Sequence, residues 1–210
     1  MDRGTIPTCE SLDRAGVKRT MTFRSVYSIL FFLLVASCTH AQVNYNEATD
    51  GDLGDPEMPT AVGVLGLGAN SVTGMLNVNE FDPDAFSFSV PAGQELTNLY
   101  FANLTGFNRF FVFNEGALDT SNAYGNLVTT LISTTDVMTN ILDGSLNSVG
   151  GSGVSGPLGP GSYEVWFQET DGSVVDYTIN LETSVVPEPG ALALVLLGGF
   201  VSLLAYRKQS

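Results

Sequence analysis

Hydrophobic and polar positions alternate repeatedly along the middle of this 210-residue chain. In residues 86–90, Phe86, Phe88 and Val90 alternate with serines, and residues 163–167 and 177–181 repeat the pattern. Because successive side chains of a strand point to opposite faces, this alternation predicts half-buried β-strands. Residues 110–113 form a continuous apolar run, which predicts a central strand covered on both faces. The stretches 71–78, 96–101 and 127–133 are further strand candidates.

Glycine, proline and aspartate separate these segments, as is usual at turns. Between the two ends of the chain, no stretch has a clear helical period, although residues 136–142 could form one turn. Residues 150–161 contain six glycines and two prolines and predict a mobile surface loop. The pattern therefore predicts an all-β fold, an antiparallel β-sandwich of the jelly-roll kind, over residues 42–185.

The charge is distributed unevenly along the chain. Acidic residues outnumber basic ones 22 to 8. Only Asp2, Glu10 and Asp13 precede residue 42, so residues 42–189 carry 19 acids against one base, Arg109, and a net charge of −18. A surface with almost no cations cannot neutralise phosphates, which excludes nucleic-acid binding.

The body lacks the residues that most catalytic sites require. Cys9, Cys38 and the only histidine, His40, precede residue 42, and residues 42–185 contain no lysine. Serine and cysteine catalytic triads, zinc sites with Cys or His ligands, and disulfide bonds are thereby excluded. Carboxylate pairs remain, so a small extracellular carbohydrate-active enzyme is the alternative to a non-catalytic protein.

The N-terminal segment predicts export. Arg24 precedes a mostly apolar run, residues 25–35, and small residues continue to Ala41, as in a secretory signal peptide. We place the signal peptide, with its helix, at residues 21–41, with cleavage after Ala41. Residues 1–20 are then an extension before a true start at Met21. A bacterial lipobox, with lipid on Cys38, is the second interpretation.

The C-terminal segment consists of a short motif, an apolar run and a basic end. The motif and the basic end are formed by Val186, Pro187, Glu188, Pro189, Arg207 and Lys208. The run between them, residues 191–206, would form a helix of about 24 Å, close to the roughly 30 Å apolar core of a bilayer. Bases at its far end predict a transmembrane helix that leaves the body outside the membrane.

These three parts, in this order, resemble the PEP-CTERM sorting tail of Gram-negative bacteria, here residues 186–210. The resemblance implies recognition and processing by an exosortase, a membrane transpeptidase-like enzyme, near Pro187–Pro189. It also implies anchoring in the membrane before processing and release to the cell surface or extracellular matrix afterwards. Such tails are also labelled ice-binding-protein C-terminal segments, a label that implies nothing about ice.

The body resembles the pre-peptidase C-terminal-like β-sandwich of exported bacterial proteins. The resemblance rests on an acidic turn before Phe86 and Phe88, on the Pro91–Gly93 turn, and on strands that contain Tyr163 and Tyr177. It implies a non-catalytic accessory domain, and some members of this family bind calcium or matrix polymers.

Acidic residues in two turns form the candidate ligand site. Asp50 and Asp52 lie in the first turn, and Glu80, Asp82 and Asp84 come directly before a predicted strand. Carboxylate oxygens on turns are ligands that Ca²⁺ prefers, which predicts a calcium site if the two turns meet. The alternative is that these acids are solvated turn residues that keep an exported protein soluble.

The sequence as a whole predicts an exported, non-catalytic protein of the cell surface or extracellular matrix. We expect an adhesion or polymer-contact module, with an exosortase as transient partner and extracellular polysaccharide as its contact.

Overall fold

The alternating segments form the strands of two facing β-sheets. The computed structural model describes residues 40–77, 82–106, 108–146, 149–170 and 172–186, all in one compact unit. The strands are β1 (Asn44–Asn46), β2 (Thr60–Val64), β3 (Gly68–Leu76), β4 (Asp84–Val90), β5 (Gln94–Leu104), β6 (Arg109–Glu115), β7 (Val128–Ile132), β8 (Gly161–Gln168) and β9 (Val175–Val185). One short helix, α1 (Glu47–Asp50), follows β1, and 3-10 turns cover Ala123–Gly125, Thr134–Asp136 and Ile141–Asp143.

One sheet has the strand order β1-β3-β9-β5, and the other has the order β2-β4-β8-β6-β7. Side chains that alternate along each strand point into the space between the sheets, where they are buried. Phe101 of the first sheet packs against Phe111 and Phe167 of the second, with ring centroids 5.6 and 4.9 Å apart. The predicted all-β sandwich is confirmed, since each predicted strand lies on an observed one.

The two strands nearest the N-terminus pair differently from the rest. β1 is parallel to β3 and β2 is parallel to β4, whereas all other pairs are antiparallel. Neither strand was predicted. β1 has three residues, and β2 has five and is broken by a bulge between Ala61 and Gly63, so neither holds a recognisable alternation.

Strand β6 is buried on both faces, as its apolar run predicts. Phe111 and Phe113 point into the sandwich and are fully buried. Val112 points the other way and is only 1% exposed. This strand lies between β8 and β7 inside its sheet.

The glycine-rich segment is irregular, but it is tied to both sheets. Residues 149–160, which we call the strap, bond to β7 where Thr129 pairs with Gly150, and to β5 where Leu96 pairs with Leu158. Both backbone bonds of the second pair are short, at 2.8 and 2.9 Å. The strap therefore covers the outer edges of two strands that a mobile loop would leave open.

Several predicted features lie outside the described residues. These are residues 1–39 of the extension and signal peptide, Glu80, the motif residues Pro187, Glu188 and Pro189, the apolar run 191–206, and Arg207 and Lys208. Of the residues that are described, no helix is long and apolar enough to cross a bilayer.

Candidate metal centre

Four acidic side chains converge where β3 ends and β4 begins. Glu47, Asp52, Asp82 and Asp84 each bring one carboxylate oxygen within 4.8 Å of the others. Oxygen ligands lie about 2.3–2.6 Å from a Ca²⁺ ion, so two ligands of one ion are at most about 5 Å apart. The spacing of these carboxylates therefore fits a set of ligands around one ion.

Glu47 is positioned by the N-terminal segment. Asn46 caps the first turn of α1 with its side chain, and the Glu47 carboxylate accepts a hydrogen bond from the Met75 backbone N–H at 2.7 Å. The segment is held in turn by buried Asn70, whose side-chain oxygen accepts a hydrogen bond from the Val43 backbone N–H at 2.9 Å. Glu47 is thus fixed beside the end of β3.

Asp52 reaches the cluster because the residues after it are tied to β4. Leu53 is buried in the core, and the carbonyl of Gly54 accepts a hydrogen bond from the Ala85 backbone N–H at 2.7 Å. Ala85 directly follows Asp84 in β4. This single backbone contact brings the first acidic turn to the second.

Asp84 is the buried member of the cluster. Its side chain is fully buried, and the hydroxyl of Tyr177 donates a hydrogen bond to its Oδ2 at 2.6 Å. Within the described part of the chain, its Oδ1 has no hydrogen-bond partner. Leaving a buried acceptor unpaired costs about 1–3 kcal/mol, more if it is charged. Oδ1 is therefore the oxygen that a bound cation would satisfy.

Burial and mutual repulsion change the acidity of these carboxyls. Burial, together with the charges of Glu47 and Asp82, raises the pKa of Asp84 to about 9, although the hydrogen bond from Tyr177 lowers it. Burial and a hydrogen bond with Asp52 raise the pKa of Glu47 to about 7. Near neutral pH, protons therefore occupy positions that a divalent cation would take over.

Glu47, Asp52 and Asp82 line an open pocket of about 440 Å³, and Asp84 is not among its lining residues. Gly74 forms part of its wall, and a Cβ there would lie 2.5 Å from the Tyr177 hydroxyl oxygen and 3.0 Å from Oδ2 of Asp84. Glycine is the residue that leaves the buried pair its room. The pocket gives an ion access and leaves space for water ligands, which Ca²⁺ commonly keeps.

The structure brings together three of the predicted ligands, Asp52, Asp82 and Asp84. Asp50 is not in the described cluster; its carboxylate accepts a hydrogen bond from the Asn46 backbone N–H at 2.8 Å. Sequence reasoning missed Glu47, because nothing in the pattern marks a helix that begins at this residue. Its one signal is that it lies five residues before Asp52 in the same acidic stretch.

The residues present fit a Ca²⁺ ion. All donors are hard carboxylate oxygens, and one of them, Oδ1 of Asp84, is buried without a hydrogen-bond partner among the described residues. Glu47 and Asp52 would supply ligands from the N-terminal segment, and Asp82 and Asp84 from the start of β4.

The sequence matches no protein-family model and no curated protein. The structure is similar to the pre-peptidase C-terminal domain of a collagenase from Bacillus anthracis, with a TM-score of 0.36 and 15% identity, over 60% of this chain and 93% of that one. It is also similar to PliG, a periplasmic inhibitor of g-type lysozyme from Salmonella Typhimurium, with a TM-score of 0.34 and 13% identity, over 60% of this chain and all of that one. Both similarities concern the fold alone.

Proposed function

We propose that the chain is an exported, non-catalytic module of the cell surface or extracellular matrix whose β-sandwich is stabilised by Ca²⁺. One observation carries the proposal: three carboxylates lie around a fully buried aspartate, Asp84, that has an unpartnered oxygen. Without a cation, the charges of Glu47, Asp52 and Asp82 repel one another and disfavour ionisation of Asp84. An ion at this position removes that repulsion and links the N-terminal segment to β4.

Thermal unfolding of the full-length chain tests the calcium site. A ligand that binds only the native state stabilises it by RT ln(1 + [L]/Kd), about 2.7 kcal/mol at a hundredfold excess over Kd. For a domain of this size, we expect millimolar Ca²⁺ to raise the unfolding midpoint by about 5–10 °C relative to EDTA. The increase should be lost in the double variant Asp82→Asn with Asp84→Asn.

Two controls separate a site from general screening of charge. Na⁺ at matched ionic strength should give only a small increase, and Mg²⁺, which demands a tighter octahedral shell, should stabilise less than Ca²⁺. The variant Asp119→Asn removes an acid of equal charge that lies elsewhere and caps its own turn, and it should retain the full Ca²⁺ effect. Equal midpoints in Ca²⁺, EDTA and Na⁺ would show that the four acids are ordinary turn residues.

Sorting through the C-terminal tail is the second part of the proposal. The support is the order of the Val186–Pro189 motif, the apolar run and the bases Arg207 and Lys208. Proline restricts φ and favours an extended segment that a protease-like cleft can bind. In a host with an exosortase, we expect Glu188→Ala to accumulate as unprocessed protein on immunoblots. Mass spectrometry that finds Ser210 retained on wild-type protein in that host would contradict it.

A carboxylate-pair hydrolase is the second candidate, because a pKa of about 7 at Glu47 suits a general acid near neutral pH. An assay in EDTA distinguishes the two candidates, because a carboxylate-pair hydrolase needs no Ca²⁺ for its chemistry. A hydrolase would release reducing ends from an uncharged polysaccharide in EDTA and would lose that activity in Glu47→Gln. A calcium-stabilised module without hydrolase activity should release no reducing ends, either in Ca²⁺ or in EDTA.

A further inference from the structure

The outer face of the four-stranded sheet carries an array of uncharged polar side chains. Residues that point away from the core form rows across the strands, because their positions are paired in register. One row consists of Asn44, Ser71, Asn180 and Tyr100, and the next consists of Asn46, Thr73, Thr178 and Asn103. All eight are exposed or half-buried.

The side chain of Tyr100 extends along this face toward strand β9. Its hydroxyl donates to Oε1 of Glu182 at 3.0 Å and accepts a hydrogen bond from Nδ2 of Asn180 at 3.1 Å, and both partners lie on the neighbouring strand β9. A tyrosine on β5 reaches them only if its ring lies across the sheet, with one face toward the strands and the other toward solvent. An aromatic ring held in this way can pack against the apolar face of a sugar.

The side-chain amides beside Tyr100 are held by hydrogen bonds through their nitrogen atoms, and their oxygen atoms can still accept hydrogen bonds. Asn98 donates to the other carboxylate oxygen of Glu182 at 2.6 Å, so Glu182 fixes both Asn98 and Tyr100. Within the described residues, no hydrogen bond reaches the side-chain oxygens of Asn98 or Asn180. These oxygens can accept hydrogen bonds from hydroxyl groups of a ligand without breaking the network.

The negative charge of the protein indicates which kind of polymer this face can bind. Residues 42–189 carry a net charge of −18, but the eight side chains of the two rows are uncharged, and Glu182 lies in the adjoining row opposite Asn98. An acidic polymer would be repelled by the whole molecule, whereas an uncharged one meets no opposing field. Hydroxyl-rich, uncharged chains also match a face made of amides, hydroxyls and one flat ring.

We propose that the outer face of the β1-β3-β9-β5 sheet binds an uncharged polysaccharide, with Tyr100 stacked on a sugar ring and Asn98 and Asn180 bonded to its hydroxyls. This proposal rests on the proposed role as a module of the cell surface or extracellular matrix, and it adds a polymer class and the surface that binds it. Asn46 and Thr73 of this face also line the pocket of the metal centre, but Tyr100, Asn98 and Asn180 do not. Binding is therefore independent of Ca²⁺ as long as the domain is folded.

Native affinity electrophoresis of the full-length chain tests the proposal, with dextran, galactomannan, xyloglucan or alginate cast into the gel. We expect at least one of the three uncharged polymers, but not alginate, to retard migration equally in Ca²⁺ and in EDTA at a temperature below the unfolding midpoint. Tyr100→Ala should weaken the retardation at least tenfold, whereas Tyr100→Phe, which keeps the ring but loses the hydrogen bonds that hold it, and Asn180→Ala should each weaken it severalfold.

The matched control is Gln168→Ala, which removes an amide from the outer face of the other sheet. It should bind like wild type, and the unfolding midpoint of each variant should show that it is folded. Retardation by alginate alone, by none of the four polymers, or to the same extent in Tyr100→Ala would overturn the proposal. Because the assay is run in EDTA as well, loss of the calcium site leaves its outcome unaffected, so the two proposals fail separately.

Discussion

Gly74 lies on the inner side of β3 against the buried pair of Tyr177 and Asp84. A methyl group at this position would come within 2.5 Å of the Tyr177 hydroxyl oxygen, closer than van der Waals contact allows. Both neighbours are fully buried and cannot move away freely. We expect Gly74→Ala to lower the free energy of unfolding by about 1–3 kcal/mol, as overpacking of a core does.

Urea unfolding of the metal-free protein measures this effect. The matched control is Gly159→Ala, because no heavy atom lies within 4 Å of the position that its Cβ would occupy. The control should leave the midpoint unchanged or raise it slightly through the smaller entropy of the unfolded chain. Equal midpoints for the two variants would show that Gly74 is not constrained by the buried pair.

The raised pKa values of Asp84 and Glu47 make stability depend on pH. In the folded state they lie at about 9 and about 7, against ordinary values of 3.8 and 4.5. The folded protein therefore binds more protons than the unfolded chain between pH 5 and pH 9, so stability falls as pH rises through this window. In EDTA, we expect the urea midpoint to be highest near pH 5 and to decrease toward pH 9.

Asp84→Asn removes the carboxyl with the larger pKa shift, so the urea midpoint of this variant should change less between pH 5 and pH 9. The exposed carboxyls of Asp119 and Asp143, whose pKa values are lowered by local hydrogen bonds, act only below about pH 4 and do not enter the window. A midpoint that rises from pH 5 to pH 9 in the wild-type protein would contradict the burial of a protonated Asp84. Saturating Ca²⁺ should also reduce the slope, since the ion replaces the protons.

Among the secondary-structure elements, the strap has the clearest structural consequence. It pairs with the outer edges of β5 and β7, which belong to different sheets. Unpaired edges of this kind are templates for aggregation. Its glycines allow the backbone to turn sharply, for example at Gly151, where φ is +108° and the Leu127 carbonyl oxygen lies close by.

The contribution of the strap to stability can be tested at Leu158, where the strap is hydrogen-bonded to β5. Its backbone N–H donates to the Leu96 carbonyl at 2.9 Å. Leu158→Pro removes this donor, whereas Leu158→Ala keeps it and removes only the side chain. We expect the proline variant to be about 1 kcal/mol less stable than the alanine variant and to aggregate faster on heating. Light scattering during a thermal ramp and urea midpoints compare the two, and equal behaviour would show that the edge bond is not needed.

Most elements could be predicted because burial on one face of a strand leaves a period of two. The pattern at Phe86, Phe88 and Val90 indicates β4 directly. The parallel strands β1 and β2 could not be predicted, because β1 has only three residues and a bulge interrupts the alternation of β2. α1 has four residues and no buried face, so only tertiary contacts such as the Met75 hydrogen bond fix it.

At the scale of the whole molecule, export and anchoring are predictions that rest on residues 21–41 and 186–210. We expect deletion of residues 190–210 to release soluble protein from the inner membrane, because the apolar run and its flanking bases are removed. Cys38→Ser is included in both proteins, so that a lipid on that residue cannot hold them. Fractionation and immunoblotting provide the measurement. A deleted form that stays with the membrane would show that the anchor lies elsewhere.

The sequence by itself determined the all-β class, the strands with clear alternation and the absence of His, Lys and Cys chemistry from the body. These properties depend on composition and on short-range periodicity, which are local. The tertiary structure alone decided that Asp52 meets Asp84, that Glu47 joins them and that Asp50 does not. The distances between these carboxylates depend on the backbone hydrogen bond between Gly54 and Ala85 and on the register of β1 on β3. Both are contacts between distant segments, and no local sequence pattern predicts them.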